Sequence, residues 1–269
     1  MSIMRINHVR NEIKKLGVVI RNITSTHLIH LKEYDLQLQN IESLFAEREQ
    51  KAHESQNWDA LYEINKEKCT HTEPLESLES LAKFQNELML VKHVALLESM
   101  IVKIFWCLTC LLKKDEYKNE YFTEVGNFSD SFLAASKINE LTGGLINLKK
   151  SKFWYLYETL KPIRNTIAHG DPLFLISYRR VNKFNKEIDI INFVSEKNEC
   201  EFTKGIYPGL LHSTNENSSR WFCCLSSDLD KLSVLNSRCL QFVEEVRAIF
   251  LEFGKVNGFS THELYGCRP

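Results

Sequence analysis

The stretch from residue 232 to residue 253 carries the pattern that most restricts how this chain can fold. Large apolar side chains return there at alternating steps of three and four: Leu232, Leu235, Cys239, Phe242, Val246, Ile249 and Phe253. This spacing places them on one face of a long α-helix, which Ser227, Asp228 and Asp230 are expected to begin and Gly254 to end. Because such a face must be buried against other long helices, the pattern predicts a mainly α, up-and-down helical bundle.

A second long helix is expected from Leu78 to Leu112. Its second half, from Val94, is almost wholly apolar, but Glu98 and Lys103 interrupt it. These charges disfavour a membrane span and favour a central bundle helix that is buried on most sides. Glu98 then needs a partner, because a buried carboxylate without one is costly. We expect that partner to be Arg164; the alternatives are a pair with Lys103 or contact with solvent.

Residues 1–75 have the pattern of a helical extension to a main domain of residues 76–269. A second helix, from about residue 57 to residue 68, is expected to fold back on the first, and Thr70–Pro74 to form the linker. The first helix shows the three-four spacing at Leu31, Tyr34, Leu38, Ile41 and Phe45. Two interpretations fit, a dimerisation or sensing arm and a hairpin that only covers one flank of the core. The second is slightly favoured, because the seam is short for an independent coiled coil.

The middle of the chain predicts a short helix and a small sheet. Ser131–Leu141 should form the helix, closed by Gly143 and Gly144. Residues 173–181 and 188–194 are rich in β-branched and aromatic side chains and predict a β-hairpin, with residues 200–203 as a candidate third strand. The sheet would be an insertion, about residues 173–225, before the last helix. Its basic tip is compatible with an RNA contact, a lid or a dimer contact.

The stretch from Leu160 to Pro172 is where chemistry is concentrated. Apolar side chains recur at steps of three and four at Phe153, Leu156, Leu160, Ile163 and Ile167, which predicts a helix through this stretch. The helix should stop at Gly170. Asn165 and His169, four residues apart, share the face roughly opposite this row and should point away from the core. Pro162 leaves open whether the helix kinks or starts afresh there.

The string Arg164-Asn165-x-x-Ala168-His169-Gly170 resembles the signature of HEPN domains, most closely that of the stand-alone bacterial HEPN group. The resemblance implies a metal-independent endoribonuclease with Arg164, Asn165 and His169 as catalytic residues. It also implies a homodimer with a composite active site, and products with 2′,3′-cyclic phosphate and 5′-hydroxyl ends. Such proteins are typically toxins or phage-defence effectors, so an antitoxin or another regulatory protein is a further possible partner.

These residue types also suit RNA cleavage on chemical grounds. Histidine titrates near neutrality and can serve either proton transfer, arginine binds phosphate as a fixed cation, and asparagine can orient the histidine or bind a phosphate oxygen. Each chain supplies one motif histidine, so two copies facing across a two-fold axis would supply both an acid and a base. Glu98 would support the site by holding Arg164.

Composition limits the other options. With a net charge of −1 the chain is not broadly basic, so RNA contacts must come from local patches, for which Lys150, Lys152, Arg179 and Arg180 are weak candidates. Each is more often part of a solvated face. The scattered cysteines and the lack of a secretory signal predict a reduced, cytoplasmic protein. Buried small hydrophobes explain Cys107 and Cys110 better than a zinc site does, and no metal or other cofactor is expected.

Two alternatives to the ribonuclease remain. One is a non-catalytic HEPN-like module that binds RNA or another protein and uses Arg164 structurally. The other is an effector restrained by a protein bound to residues 1–75.

Overall fold

The computed structural model describes residues 2–112, 130–169, 174–177, 194–196, 220–225 and 229–259. These residues are mainly helical, as the apolar spacing predicts. The helices are α1 (Ser2–Glu54), α2 (Trp58–Leu112), α3 (Ser131–Leu141), α4 (Trp154–Ala168) and α5 (Asp230–Val256), with one 3-10 turn at Leu148–Lys150. The strands are β1 (Phe174–Ser177), β2 (Val194–Glu196) and β3 (Arg220–Leu225).

Helices α1 and α2 form a long hairpin, and α2 continues without a break through the expected linker. The linker prediction at Thr70–Pro74 is therefore wrong, and Pro74 lies inside α2. Proline removes one backbone hydrogen bond, but the hairpin partner stabilises α2 at this point. The Tyr34 hydroxyl of α1 donates a 2.8 Å hydrogen bond to the carbonyl oxygen of His71, three residues before the proline.

The beginning of α1 belongs to the common core. Its side chains Ile6, Val9, Ile13 and Ile20 are buried in one cluster with residues of α2, α3, α4 and α5. Near the turn of the hairpin a separate small cluster forms from Phe45, Ala52, Leu61 and Ile64. Only the part of the hairpin away from the core thus extends as an arm, and residue 75 marks no break in the chain.

Helix α2 is the central helix, as its apolar sequence predicts, and α1, α3 and α4 all pack against it. Its fully buried side chains include Leu90, Val94, Leu97, Met100, Ile101, Ile104 and Leu108. Among the described residues, no helix is long and apolar enough to cross a membrane.

The short helix α3 has the predicted bounds, and Gly143 and Gly144 after it both adopt positive φ. Helix α5 buries the predicted face, with Val243 and Phe250 added to it. It begins at Asp230 and runs past Gly254 to Val256. Its end was thus predicted two residues too early, because continued packing of Phe253 on the core outweighs the low helix propensity of glycine.

A buried polar junction joins α1, α2 and α5. The His93 ring of α2 donates to the carbonyl oxygen of Met89 (2.7 Å) and meets the side-chain amide of Asn236 of α5 (2.9 Å). Gly17 of α1 lies so close that a β-carbon there would be 2.7 Å from the Asn236 amide nitrogen. Burial lowers the pKa of His93, and this effect exceeds the opposing effect of its two hydrogen-bonding partners.

The small sheet differs from the predicted hairpin. β1 and β2 fall at or next to the two expected strand segments, but each pairs antiparallel with β3, which lies between them. The predicted direct pairing of the first two strands is therefore wrong. The tryptophan- and cysteine-containing strand β3 was missed, and residues 200–203 lie outside the described residues.

Candidate functional site

Helix α4 carries the motif and is held by its apolar face. Leu156, Leu160 and Ile163 are fully buried, and Phe153 and Ile167 pack against the same core. The helix runs through Pro162 as one element, so no fresh start occurs there.

Asn165 and His169 are both exposed on the far side of this helix, as predicted. His169 directly follows the last residue of α4, and its backbone N–H donates to the carbonyl oxygens of Asn165 and Thr166, each at 3.1 Å. The two side chains thus lie one turn apart on a surface that is open to solvent. Gly170 lies outside the described residues.

The Glu98 carboxylate of α2 pairs with Arg164, as the sequence predicts. Arg164 Nη2 donates to Oε2 of Glu98, while Lys161 Nζ lies 3.3 Å from Oε1 of the same carboxylate. The exposed fractions of the side chains are 19% for Glu98, 22% for Arg164 and 14% for Lys161. Glu98 and Lys103, both among the described residues, do not form the alternative ion pair.

Lys161 joins a wider polar cluster that sequence reasoning missed. Its Nζ donates to Ser131 Oγ at 2.8 Å and lies 3.7 Å from Asp130 Oδ1, at the start of α3. It also lies over the Phe132 ring, 4.4 Å from the centroid, in cation–π geometry. Lys161 precedes Arg164 by three residues, so helical spacing alone could have placed both cations on one side.

The buried Tyr157 completes the cluster, with its hydroxyl hydrogen-bonded to Ser131. Burial raises the pKa of Tyr157, with the Glu98 charge adding to the rise and the Ser131 bond opposing it. A phenol with a raised pKa stays neutral at physiological pH, so Tyr157 is a scaffold for the cluster and is not suited to be a base.

The cluster places two cations, Lys161 and Arg164, and two carboxylates, Glu98 and Asp130, beside the exposed motif face. Its formal charges therefore balance, although the Asp130 side chain is 60% exposed and its charge is screened by solvent. Among the described residues, Arg164 Nε is buried without a hydrogen-bonding partner. A guanidinium group can bind a phosphate, and the exposed His169 side chain can exchange protons with a bound molecule.

Two of the weak RNA-binding candidates, Lys150 and Lys152, are not brought to this face. Lys150 and Lys152 are exposed, but they precede α4, whereas His169 follows it. At 1.5 Å per residue the helix separates them from His169 by about 20 Å. Arg179 and Arg180 lie outside the described residues.

Within the part of the chain that the structure describes, no three His, Cys, Asp or Glu side chains form a group able to hold a metal ion. Cys107 and Cys239 are buried in α2 and α5. Burial raises the pKa of the Cys239 thiol, which keeps it protonated and unreactive.

Comparisons of the chain with models of protein families, with curated proteins and with solved structures find no match.

Proposed function

We propose that this protein is a metal-independent endoribonuclease of the HEPN type, with Arg164, Asn165 and His169 as catalytic residues and Glu98 in support. The observation that carries the proposal is the exposure of His169 and Asn165 within five residues of an arginine that a largely buried carboxylate holds in place. A toxin or phage-defence role follows from the motif resemblance alone.

In the proposed reaction the ribose 2′-hydroxyl attacks the adjacent phosphorus, and the 5′-oxygen of the next nucleotide leaves. A histidine takes the 2′-hydroxyl proton, and a second histidine gives a proton to the leaving oxygen. Arg164 stabilises the negative charge that develops on the phosphorane, and Asn165 binds a phosphate oxygen or orients His169.

The second histidine would come from a second copy of the chain. An apolar row on α2 supports a homodimer, since Leu81, Phe84 and Leu88 are 50%, 60% and 52% exposed. The same alternating spacing continues through Val91 and Ala95 to Glu98. The uncovered row and the carboxylate that holds Arg164 therefore share one side of α2, so a copy bound there would lie next to the motif.

The alternative, a protein-interaction module, has one observation in its favour. Trp58 and Tyr62, at the turn of the α1–α2 hairpin, are 71% and 68% exposed. Exposed aromatic side chains on a protruding element are typical of protein contacts. An antitoxin or another regulatory protein is the partner that this alternative and the restrained effector would share.

The test is cleavage of total cellular RNA in EDTA by the wild type, His169→Ala and Arg164→Ala, with His53→Ala as the matched control. His53 is an exposed histidine on the arm and should be dispensable. We expect 2′,3′-cyclic phosphate ends from the wild type and the control, and about 100-fold slower cleavage by the other two variants. Undiminished cleavage by His169→Ala, or intact RNA with folded dimeric wild type, would contradict the proposal.

A further inference from the structure

The two oxygens of the Glu98 carboxylate are divided between two cations. Arg164 reaches Oε2 through its terminal nitrogen Nη2, whereas Oε1 faces the Lys161 ammonium group at 3.3 Å and, at the longer distance of 3.5 Å, the Ser131 hydroxyl. Within the part of the chain that the structure describes, the Nε of Arg164 is buried without a hydrogen-bonding partner. The guanidinium is thus attached to the carboxylate by one nitrogen, and a neighbouring buried donor is left unsatisfied.

This arrangement is not the one that the pair would adopt alone. Arginine and carboxylate groups favour two parallel N–H···O bonds, and Nε with Nη2 forms one edge that could make them. A buried donor without a partner costs free energy, so the Nε of Arg164 has a reason to turn towards Oε1 of Glu98. Another group must therefore occupy Oε1 of Glu98.

The Lys161 ammonium group is held in a position where it can occupy this oxygen. Ser131 accepts a 2.8 Å hydrogen bond from its ammonium group, and the Phe132 ring lies under it. Both residues belong to the first turn of α3, which the Asp130 side chain caps. The ammonium group is consequently held between α2 and α3 and is not free to follow the guanidinium.

We propose that Lys161 is a positioning residue that keeps Arg164 attached to Glu98 by a single nitrogen. With Oε1 taken by Lys161, the guanidinium cannot close onto the carboxylate and stays oriented for an incoming phosphate. The importance of this orientation for catalysis rests on the proposed ribonuclease function, whereas the geometry itself does not depend on it.

The test follows the Nε–H signal of Arg164 by nuclear magnetic resonance in the full-length protein, assigned by its loss in Arg164→Lys. In Lys161→Met we expect the signal to move downfield and its hydrogen exchange to slow about tenfold, because Nε–H gains a carboxylate partner. Lys161→Arg should keep the wild-type signal. Lys137→Met, which removes an exposed ion pair with Glu140, is the matched control and should also leave it unchanged.

Activity provides the second readout. Lys161→Met should lower kcat for RNA about tenfold with a smaller change in KM, and Lys161→Arg should restore most of the loss. An unchanged Nε–H signal in folded Lys161→Met would overturn the proposal, as would a changed signal with wild-type kcat. If the wild type itself cleaves no RNA, the ribonuclease proposal fails, and the Nε–H signal alone decides whether Lys161 controls the attachment of Arg164.

Discussion

Replacing Glu98 by glutamine tests whether one carboxylate stabilises two half-buried cations. Glutamine keeps the size and one acceptor oxygen, but removes the charge that faces Lys161 and Arg164. Unit charges 3.3 Å apart attract by about 5 kcal/mol at an effective dielectric constant of about 20, and desolvation offsets much of this. Removing one partner of a fully buried pair costs about 3–5 kcal/mol. Since each side chain here keeps some solvent contact, we expect a loss of about 2–3 kcal/mol in the free energy of unfolding.

The same reasoning predicts that Lys161→Met has opposite effects on the free energy of unfolding in the wild type and in the Glu98→Gln variant. In the wild type this substitution should lower the free energy of unfolding by about 1 kcal/mol, because Glu98 loses an ion-pair partner and Ser131 loses a charged hydrogen-bond donor. In the Glu98→Gln background, Lys161→Met should raise the free energy of unfolding by about 1 kcal/mol, because the substitution removes one of two neighbouring cations that lack their shared counterion. The coupling free energy would be about 2 kcal/mol.

Urea unfolding of the wild type, both single variants and the double variant measures this coupling. Glu79→Gln is the matched control, since Glu79 is exposed on the same helix and should change stability by less than about 0.5 kcal/mol. Equal destabilisation by Lys161→Met in both backgrounds would refute the reasoning, because the carboxylate and the ammonium group would then be energetically independent.

Three further predictions concern the elements around the site. Burial lowers the pKa of His93, so the unfolded chain binds a proton at this residue more readily than the folded chain does. We therefore expect the free energy of unfolding, measured by urea titration, to fall by about 1 kcal/mol from about pH 7.5 to about pH 5.5. His93→Gln should reduce this dependence, and an unchanged slope would argue against it. Gly17→Ala should destabilise the protein by about 1–2 kcal/mol in thermal unfolding, because the added β-carbon would lie too close to the Asn236 side chain. In an Asn236→Ala background the same substitution should stabilise the protein, because only the higher helix propensity of alanine then acts. Asp130→Ala should lower the free energy of unfolding by about 1 kcal/mol, because it removes the side chain that caps α3. Asp130→Asn, whose side chain still caps the helix, should lower it less. Equal losses in the two variants would show that the Asp130 charge near Lys161 matters instead of the cap.

Helix α3 and the core face of α5 were predictable because their signals are local. A capping aspartate and two glycines in left-handed conformations fix the ends of α3, and the three-four spacing fixes the buried side of α5. The exposure of Asn165 and His169 follows in the same way, because the position of a residue around a helix is set by its distance from the apolar row. Their catalytic role stays a prediction.

The expected linker at Thr70–Pro74 shows where local signals fail. Proline and polar residues there suggest a break, but a helix that is packed along its length tolerates one missing hydrogen bond. The sheet gives a second example, because the order of the strands depends on which segment approaches β3 in space. Neither result can be obtained from residues that are neighbours in sequence.

The sequence by itself determined that amphipathic helices form, which sides of α4 and α5 are buried, and that Glu98 on a buried helix requires a cation. The period of a helix and the cost of burying an unpaired charge are properties of the residues themselves. Only the tertiary structure decided that two cations share this carboxylate and that Ser131 and Phe132 hold the second one in place. These contacts join three helices that are far apart in the chain, and their distances depend on how the whole core packs.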